Sequence, residues 1–238
     1  MPPIFYQHYW SLAGSDVVDD ILYFLNSGTL PPSLCHSFIT LIPKVNNPKY
    51  ISQYPPISLS NVLYRIFSKV LANKLKKVLP HLVSEQQSAF VKDKLISDNI
   101  MVAFETLPYM RNHSSRETGY MALKLDMSKA YDRMEWLYME KLMKKMGFGD
   151  TWVNLMMQCT SKATYFVLIN GEPHSHITPS KGLRQGDLLS PYLFLLCMKR
   201  FHGLMRKAEE NADIRGVSIC RSAPKLTHLL FADDNKNY

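Results

Sequence analysis

The sequence predicts an α+β fold, with helices first and a small antiparallel sheet after them. Three observations carry this. From Ser60 to Leu79, Val62, Leu63, Ile66, Phe67, Val70, Leu71, Leu75, Val78 and Leu79 recur at helical spacing. Over Tyr120–Asp126, apolar Met121, Leu123 and Leu125 alternate with Tyr120, Ala122, Lys124 and Asp126, the period of a half-buried strand. Asn170-Gly171, between Thr164–Ile169 and His174–Ile177, is a two-residue hairpin signal.

Taken in order, the chain opens with Phe5, Tyr6, Tyr9 and Trp10. A helix is expected around Asp16–Leu25, with Val17, Val18, Ile21, Leu22 and Leu25 on one face, ending at Asn26-Ser-Gly28. Phe38–Ile42 reads as a strand closed by Pro43. Turn residues from Asn46 to Pro56 follow. The Ser60–Leu79 helix should stop at Pro80, and its Arg65, Lys69, Lys74, Lys76 and Lys77 form a basic, mostly solvated face. A further helix begins near Asp98, with Pro108 expected to break or kink it. Another runs over Lys129–Met146 to Gly147, and Asp150 caps the next. Gly182–Asp187 is a polar loop, and Ser190-Pro191 opens a helix to about Glu210. Strands are expected near Gly216–Cys220 and Leu226–Ala232.

A length of 238 residues allows one large domain or two small ones. A hydrophobic fraction of 46% is enough for a real core. The net charge of +8 favours polyanionic partners, nucleic acid ahead of an acidic membrane surface. Cys35, Cys159, Cys197 and Cys220 are unclustered, which excludes a zinc signature and suits reduced thiols. The start, Met1-Pro-Pro-Ile, is not a signal peptide, and Leu188–Met198 is too short to span a bilayer. A soluble intracellular protein, nuclear or cytoplasmic, is the expectation.

Two stretches carry chemistry. Asp126 closes the Tyr120–Asp126 run, and Asp233-Asp234 closes Leu226–Ala232. If the two strands are sheet neighbours, these carboxylates can hold two divalent cations. Magnesium prefers hard oxygen ligands of this type, and a metal pair activates one oxygen and stabilises another in phosphoryl transfer. Singly, each of these aspartates is more often a helix cap or a solvated turn residue than a metal ligand.

With these segments in place, the chain resembles the reverse transcriptases of LINE-type (non-LTR) retrotransposons, in particular those of plants. The match runs through Phe38-Ile-Thr-Leu-Ile-Pro-Lys44, Pro56-Ile-Ser-Leu-Ser-Asn-Val62 and Ser84-Glu-Gln-Gln-Ser-Ala-Phe90. It continues through Ala122–Arg133, Gly182-Leu-Arg-Gln-Gly-Asp187, Leu189–Phe194 and Leu230-Phe-Ala-Asp-Asp234. The resemblance implies a right-hand polymerase architecture. Residues 1–36 would be a lead-in and 37–119 fingers. Residues 120–238 would be palm with interleaved fingers segments, cut short after Asp234. Asp126, Asp233 and Asp234 would be the catalytic, metal-holding carboxylates for two Mg2+ ions, with Mn2+ as a substitute. Lys44, Tyr131, Gln185 and Gly186 would form the nucleotide site: Lys44 on the triphosphate, Tyr131 under the sugar, and Gln185 and Gly186 lining the pocket. Lys124 would contact template or primer phosphate. The implied partners are an RNA template, a DNA primer and a dNTP, without a membrane.

The chain also departs from the family pattern. Pro55 stands where the family usually has Arg, and Pro lacks both the charge and the bidentate geometry of a guanidinium. Asp93-Lys94 replaces a common Gly-Arg, Leu188 a Pro, and Lys199 an acidic residue. After Asp234 the family continues into a returning strand and a thumb, whereas here Asn235-Lys-Asn-Tyr238 follows. The expectation is therefore a truncated copy without a thumb, with its catalytic hairpin cut short. Three readings stand: a polymerase fragment, a non-catalytic remnant that binds RNA or an RNA–DNA hybrid, and a pseudogene product without function.

Overall fold

The computed structural model describes residues 1–83, 87–90, 94–113, 119–125, 127, 129–221 and 223–230. Its elements are α1 (Pro3–His8), α2 (Trp10–Ser27), α3 (Pro32–Cys35), β1 (His36–Leu41), β2 (Pro56–Ser60) and α4 (Val62–Leu82). Then come α5 (Ile96–His113), α6 (Trp136–Lys145), α7 (Asp150–Ser161), β3 (Thr164–Ile169), β4 (Glu172–Ile177) and α8 (Ser190–Glu210). No helix among the described residues is long and apolar enough to cross a membrane. The chain divides into one unit of Met1–Leu75 with Tyr131–Leu193 and another of Lys76–Ala130 with Phe194–Tyr238.

The first unit holds the sheet, in the order β2-β1-β3-β4. β1 pairs antiparallel with β2 (Phe38 opposite Leu59) and parallel with β3 (Phe38 opposite Phe166). β3 and β4 form the hairpin announced by Asn170-Gly171. The sheet is thus mixed rather than antiparallel, and its strands come from both ends of the unit's sequence. The mixed α/β content is that of the expected α+β class, apart from the parallel β1–β3 pair. Below it, α4 buries Tyr64, Phe67, Leu71 and Leu75, and α2 adds Val17, Ile21 and Phe24. Phe24 meets Phe67 edge-on, with ring centroids 6.2 Å apart. On α2 the expected face is rotated: Val18 and Leu22 are exposed, and Phe24 takes the inward position. Residues 17, 21 and 24 lie within one narrow helical stripe, which Val18 and Leu22 flank. Arg65, Lys69 and Lys74 on α4 face outward, as expected of a solvated basic face.

In the second unit, Leu195, Leu196, Met198 and Leu230 are buried. Neither of its internal prolines ends a helix: α4 continues past Pro80 and α5 past Pro108. An interior proline costs about 3 kcal/mol. On α4 the burial of Leu79 and the bond from Val83 N–H to the Leu79 carbonyl (2.9 Å) offset it. On α5 the burial of Thr106 and Met110 does so.

Three expected strands do not form among the described residues. Residues 120–125 are irregular, and Met121, Leu123 and Leu125 are 83%, 70% and 60% exposed. A period-2 pattern makes a strand only where a ladder partner exists. The intended partner is engaged elsewhere: the Leu230 carbonyl accepts from Ser88 N–H (3.3 Å) and from Asn99 Nδ2 (2.9 Å). Residues 216–220 and 226–230 carry only isolated bridges, Val217 with Leu226 and Gln87 with Leu230.

Candidate active site

On one face of the sheet, Ile39 of β1, Ser58 of β2, Tyr165 of β3 and Ile177 of β4 line a pocket of about 210 Å³. Asp132, Lys181 and Gln185 close its mouth, so an apolar floor meets a small set of polar and charged groups.

The loop bearing Gln185 is held from two sides. Residues 131–134 are expected to be helical from their sequence, but they form a turn whose carbonyls serve this loop. Leu183 N–H donates to the Tyr131 carbonyl (2.8 Å) and Gly182 N–H to that of Met134 (2.7 Å). The indole Nε1 of Trp136 donates to the Gly182 carbonyl (2.7 Å). This is why the helix expected from Lys129 starts only at Trp136. Gly182 has φ +97°, and a Cβ there would sit 3.1 Å from the Asp132 carbonyl oxygen, so only glycine allows this approach. From the sheet side, Ser58 N–H donates to the Gln185 carbonyl (3.3 Å). The Gln185 side-chain amide reaches the Asp132 carboxylate at 3.3 Å. Gly186 follows at φ +87°, exposed at the loop's tip.

Sequence reasoning missed the anchor beneath this loop. Arg184 is only 4% exposed; its Nη2 donates to the Cys35 carbonyl (3.0 Å) and its Nη1 to Ser60 Oγ (3.3 Å). Its guanidinium lies 4.3 Å over the Tyr64 ring and 5.8 Å from that of Tyr165. Tyr64 Oη donates to Asp187 Oδ2 at 2.8 Å. Burial, reinforced by the Asp187 carboxylate, pushes Tyr64 ionisation well above the usual phenol range and keeps it a donor. The available signal was weak: an Arg and an Asp flanking Gln-Gly, which a surface loop would also show.

The structure brings the Gln185 side chain to Asp132 and Leu183 N–H to the Tyr131 carbonyl, while Gly186 does not line the pocket. Tyr131 itself is half-buried, and its neighbour Asp132, not Tyr131, lines the pocket. Lys44 is exposed in the turn after β1, with its N–H on the Gln53 carbonyl (2.8 Å), and does not line the pocket. Lys124 is exposed in the irregular 120–125 segment. Asp126, Asp233 and Asp234 lie outside the described residues. Among the described residues no group of three His, Cys, Asp or Glu could hold a metal ion. Aspartate carboxylates are hard oxygen donors of the kind that magnesium takes.

A family model, reverse transcriptase (RNA-dependent DNA polymerase), matches residues 42–235. The chain is 30% identical to the Transposon TX1 uncharacterized 149 kDa protein of Xenopus laevis over 97% of its own length and 17% of that protein. It is 50% identical to an uncharacterized mitochondrial protein of Arabidopsis thaliana, over 29% of the chain and 57% of that protein. It is 27% identical to the Pol polyprotein of retrotransposable element R2DM from Drosophila melanogaster, over 73% of the chain and 16% of that protein. The chain thus matches between about a sixth and just over half of the length of these relatives.

Proposed function

Because the chain belongs to the reverse transcriptase family, in its non-LTR retrotransposon branch, we propose that it is part of an RNA-directed DNA polymerase that transfers nucleotides to a primer 3′-hydroxyl on an RNA template. In this reading residues 37–119 belong to fingers and 120–238 to palm. One observation supports it above the others: Gln185 and Asp132, hydrogen-bonded to each other, sit at the mouth of a sheet-floored pocket, on backbone segments pinned together by Leu183 N–H and the Tyr131 carbonyl.

Each residue then has a task. Gln185 and Gly186 shape the pocket for the incoming dNTP, with Gly186 letting backbone come close to the ligand. By the family resemblance Tyr131 would exclude a ribose 2′-hydroxyl, acting from beside a pocket that its side chain does not line. Lys44 neutralises triphosphate charge, a task it performs without the guanidinium that Pro55 displaces. Asp126, Asp233 and Asp234 would hold two Mg2+ ions, which when bound supply charge neutralisation at the attacking and leaving oxygens. The rest of catalysis is positioning and exclusion of water, since phosphoryl transfer asks little covalent chemistry of the protein.

The test is primer extension on an RNA template while dNTP concentration is varied. Gln185→Ala is expected to raise the dNTP KM about tenfold or more with the fold intact. An unchanged KM would remove Gln185 and its loop from the nucleotide site.

A further inference from the structure

The sheet has a second face. Side chains alternate along strands, so the residues lining the pocket (Ile39, Ser58, Tyr165, Ile177) define one side. The other side carries Phe38, its antiparallel partner Leu59, its parallel partner Phe166 and the partner of that residue, His176. His36 and Ile57 share it through the same registers. The rings form one patch: Phe166 lies 6.3 Å from Phe38, 5.0 Å from His176 and 6.2 Å from His36, centroid to centroid. His36 and His176 are exposed, Phe166 is half-buried, and Phe38 is 43% exposed. A soluble protein seldom leaves such a face idle.

We propose that this face is a stacking platform for unpaired bases of single-stranded nucleic acid. Four-stranded sheets with aromatic side chains on an open face bind bases in this way, because every base offers a π-face. Charge favours the same occupant. The four strands contain a single acidic residue, Glu172 at the hairpin end, and exposed Lys162 lies two residues before β3. The chain as a whole carries +8. A protein partner would pack on Ile57, Leu59 and the rings as well, but would draw nothing from the scarcity of acid. The platform lies on the face opposite the pocket and requires neither dNTP nor metal. It therefore stands or falls separately from the polymerase reading.

The experiment is fluorescence anisotropy of the purified chain with a labelled single-stranded RNA of mixed sequence, and with the same RNA annealed to its complement, in chelator and without nucleotide. The chain should prefer the single strand. Phe38→Leu should weaken single-strand binding about fivefold or more, whereas Phe38→Tyr, which keeps the ring, should stay within about twofold. His176→Ala at the patch edge should weaken it as well, with the salt dependence unchanged because no phosphate contact is removed. Thermal unfolding of each variant checks the fold. Three results would overturn the platform: no single-strand binding by the wild-type chain, equal loss of duplex binding in the variants, or Phe38→Leu binding as tightly as wild type.

Discussion

The guanidinium of Arg184 lies 4.3 Å over the ring of Tyr64, whose hydroxyl donates to Asp187 at 2.8 Å. Gln185 and Gly186 are the two residues between Arg184 and Asp187. Both ends of the dipeptide are therefore tethered to one fully buried tyrosine on α4. Removing a partner from a buried charged cluster costs about 3–5 kcal/mol, and removing one hydrogen bond to a charged group costs about 1.5–3 kcal/mol. Arg184→Met should thus lower unfolding stability by about 3 kcal/mol or more, and Tyr64→Phe by about 2 kcal/mol. Urea denaturation of the two variants checks the order. Equal stability of Tyr64→Phe and wild type would mean that the hydroxyl tether carries nothing.

Gly182 and Gly186 separate two kinds of glycine requirement. Both have positive φ, +97° and +87°, but a Cβ at Gly182 would press on the Asp132 backbone at 3.1 Å, whereas at Gly186 its nearest neighbour is 3.5 Å away. Gly186→Ala should cost only the left-handed backbone penalty, about 1–2 kcal/mol. Gly182→Ala adds a backbone clash and should cost more, with loss of the Tyr131–Leu183 bond. Denaturation midpoints and amide exchange at Leu183 read the difference.

His202 and His228 give the second unit a pH dependence. Their rings share a hydrogen bond of 2.7 Å, Nδ1 to Nε2. Burial first, then Arg206 and Lys199, lowers His202 below its usual range. Burial and His202 lower His228, with Glu209 opposing. A histidine whose folded pKa is depressed binds protons more readily when unfolded. The unit should therefore hold full stability above about pH 6.5, the unfolded value, and lose it progressively as pH falls toward the folded values. Urea midpoints from pH 8 to 5 should show this decline, and His202→Gln should flatten it. A decline that persists in that variant would assign it to other groups.

Pro55 precedes β2, and its carbonyl accepts a long 3.5 Å contact from Ile42 N–H. A guanidinium there would add a charged, bidentate donor for phosphate. Pro55→Arg is expected to lower the dNTP KM about tenfold in primer extension, with little change in stability. A KM equal to that of wild type would show that this position lies out of reach of the triphosphate.

Much of this was legible in the residues. The helix over 62–82 follows from apolar periodicity, that over 190–210 from Ser190-Pro191 and the β3–β4 hairpin from Asn170-Gly171, because these signals are local. The helix over 150–161 forms as expected but is capped by Gly149, with Asp150 inside its first turn. Prolines 80 and 108 misled, since tertiary burial of Leu79, Thr106 and Met110 outweighs a local penalty. The alternation at 120–126 misled for the opposite reason. It records what a strand would bury, while strand formation depends on a partner distant in sequence. Gln185 and Gly186 were named from a motif, and of the two Gln185 lines the pocket. Arg184, Tyr64 and Asp187 were not singled out, because a buried cation–tyrosine–carboxylate cluster leaves no spacing rule in the chain. The carboxylates Asp126, Asp233 and Asp234 rest on motif and donor chemistry.

The central claim, nucleotidyl transfer on an RNA template, is tested most directly by single-nucleotide extension of an annealed DNA primer with magnesium and the complementary dNTP. The purified chain is compared with its Asp233→Asn variant. The account predicts incorporation by the wild-type chain and a loss of a hundredfold or more in the variant, with both proteins folded by circular dichroism. A folded wild-type chain that adds no nucleotide, or a variant that adds it as fast, would contradict the claim.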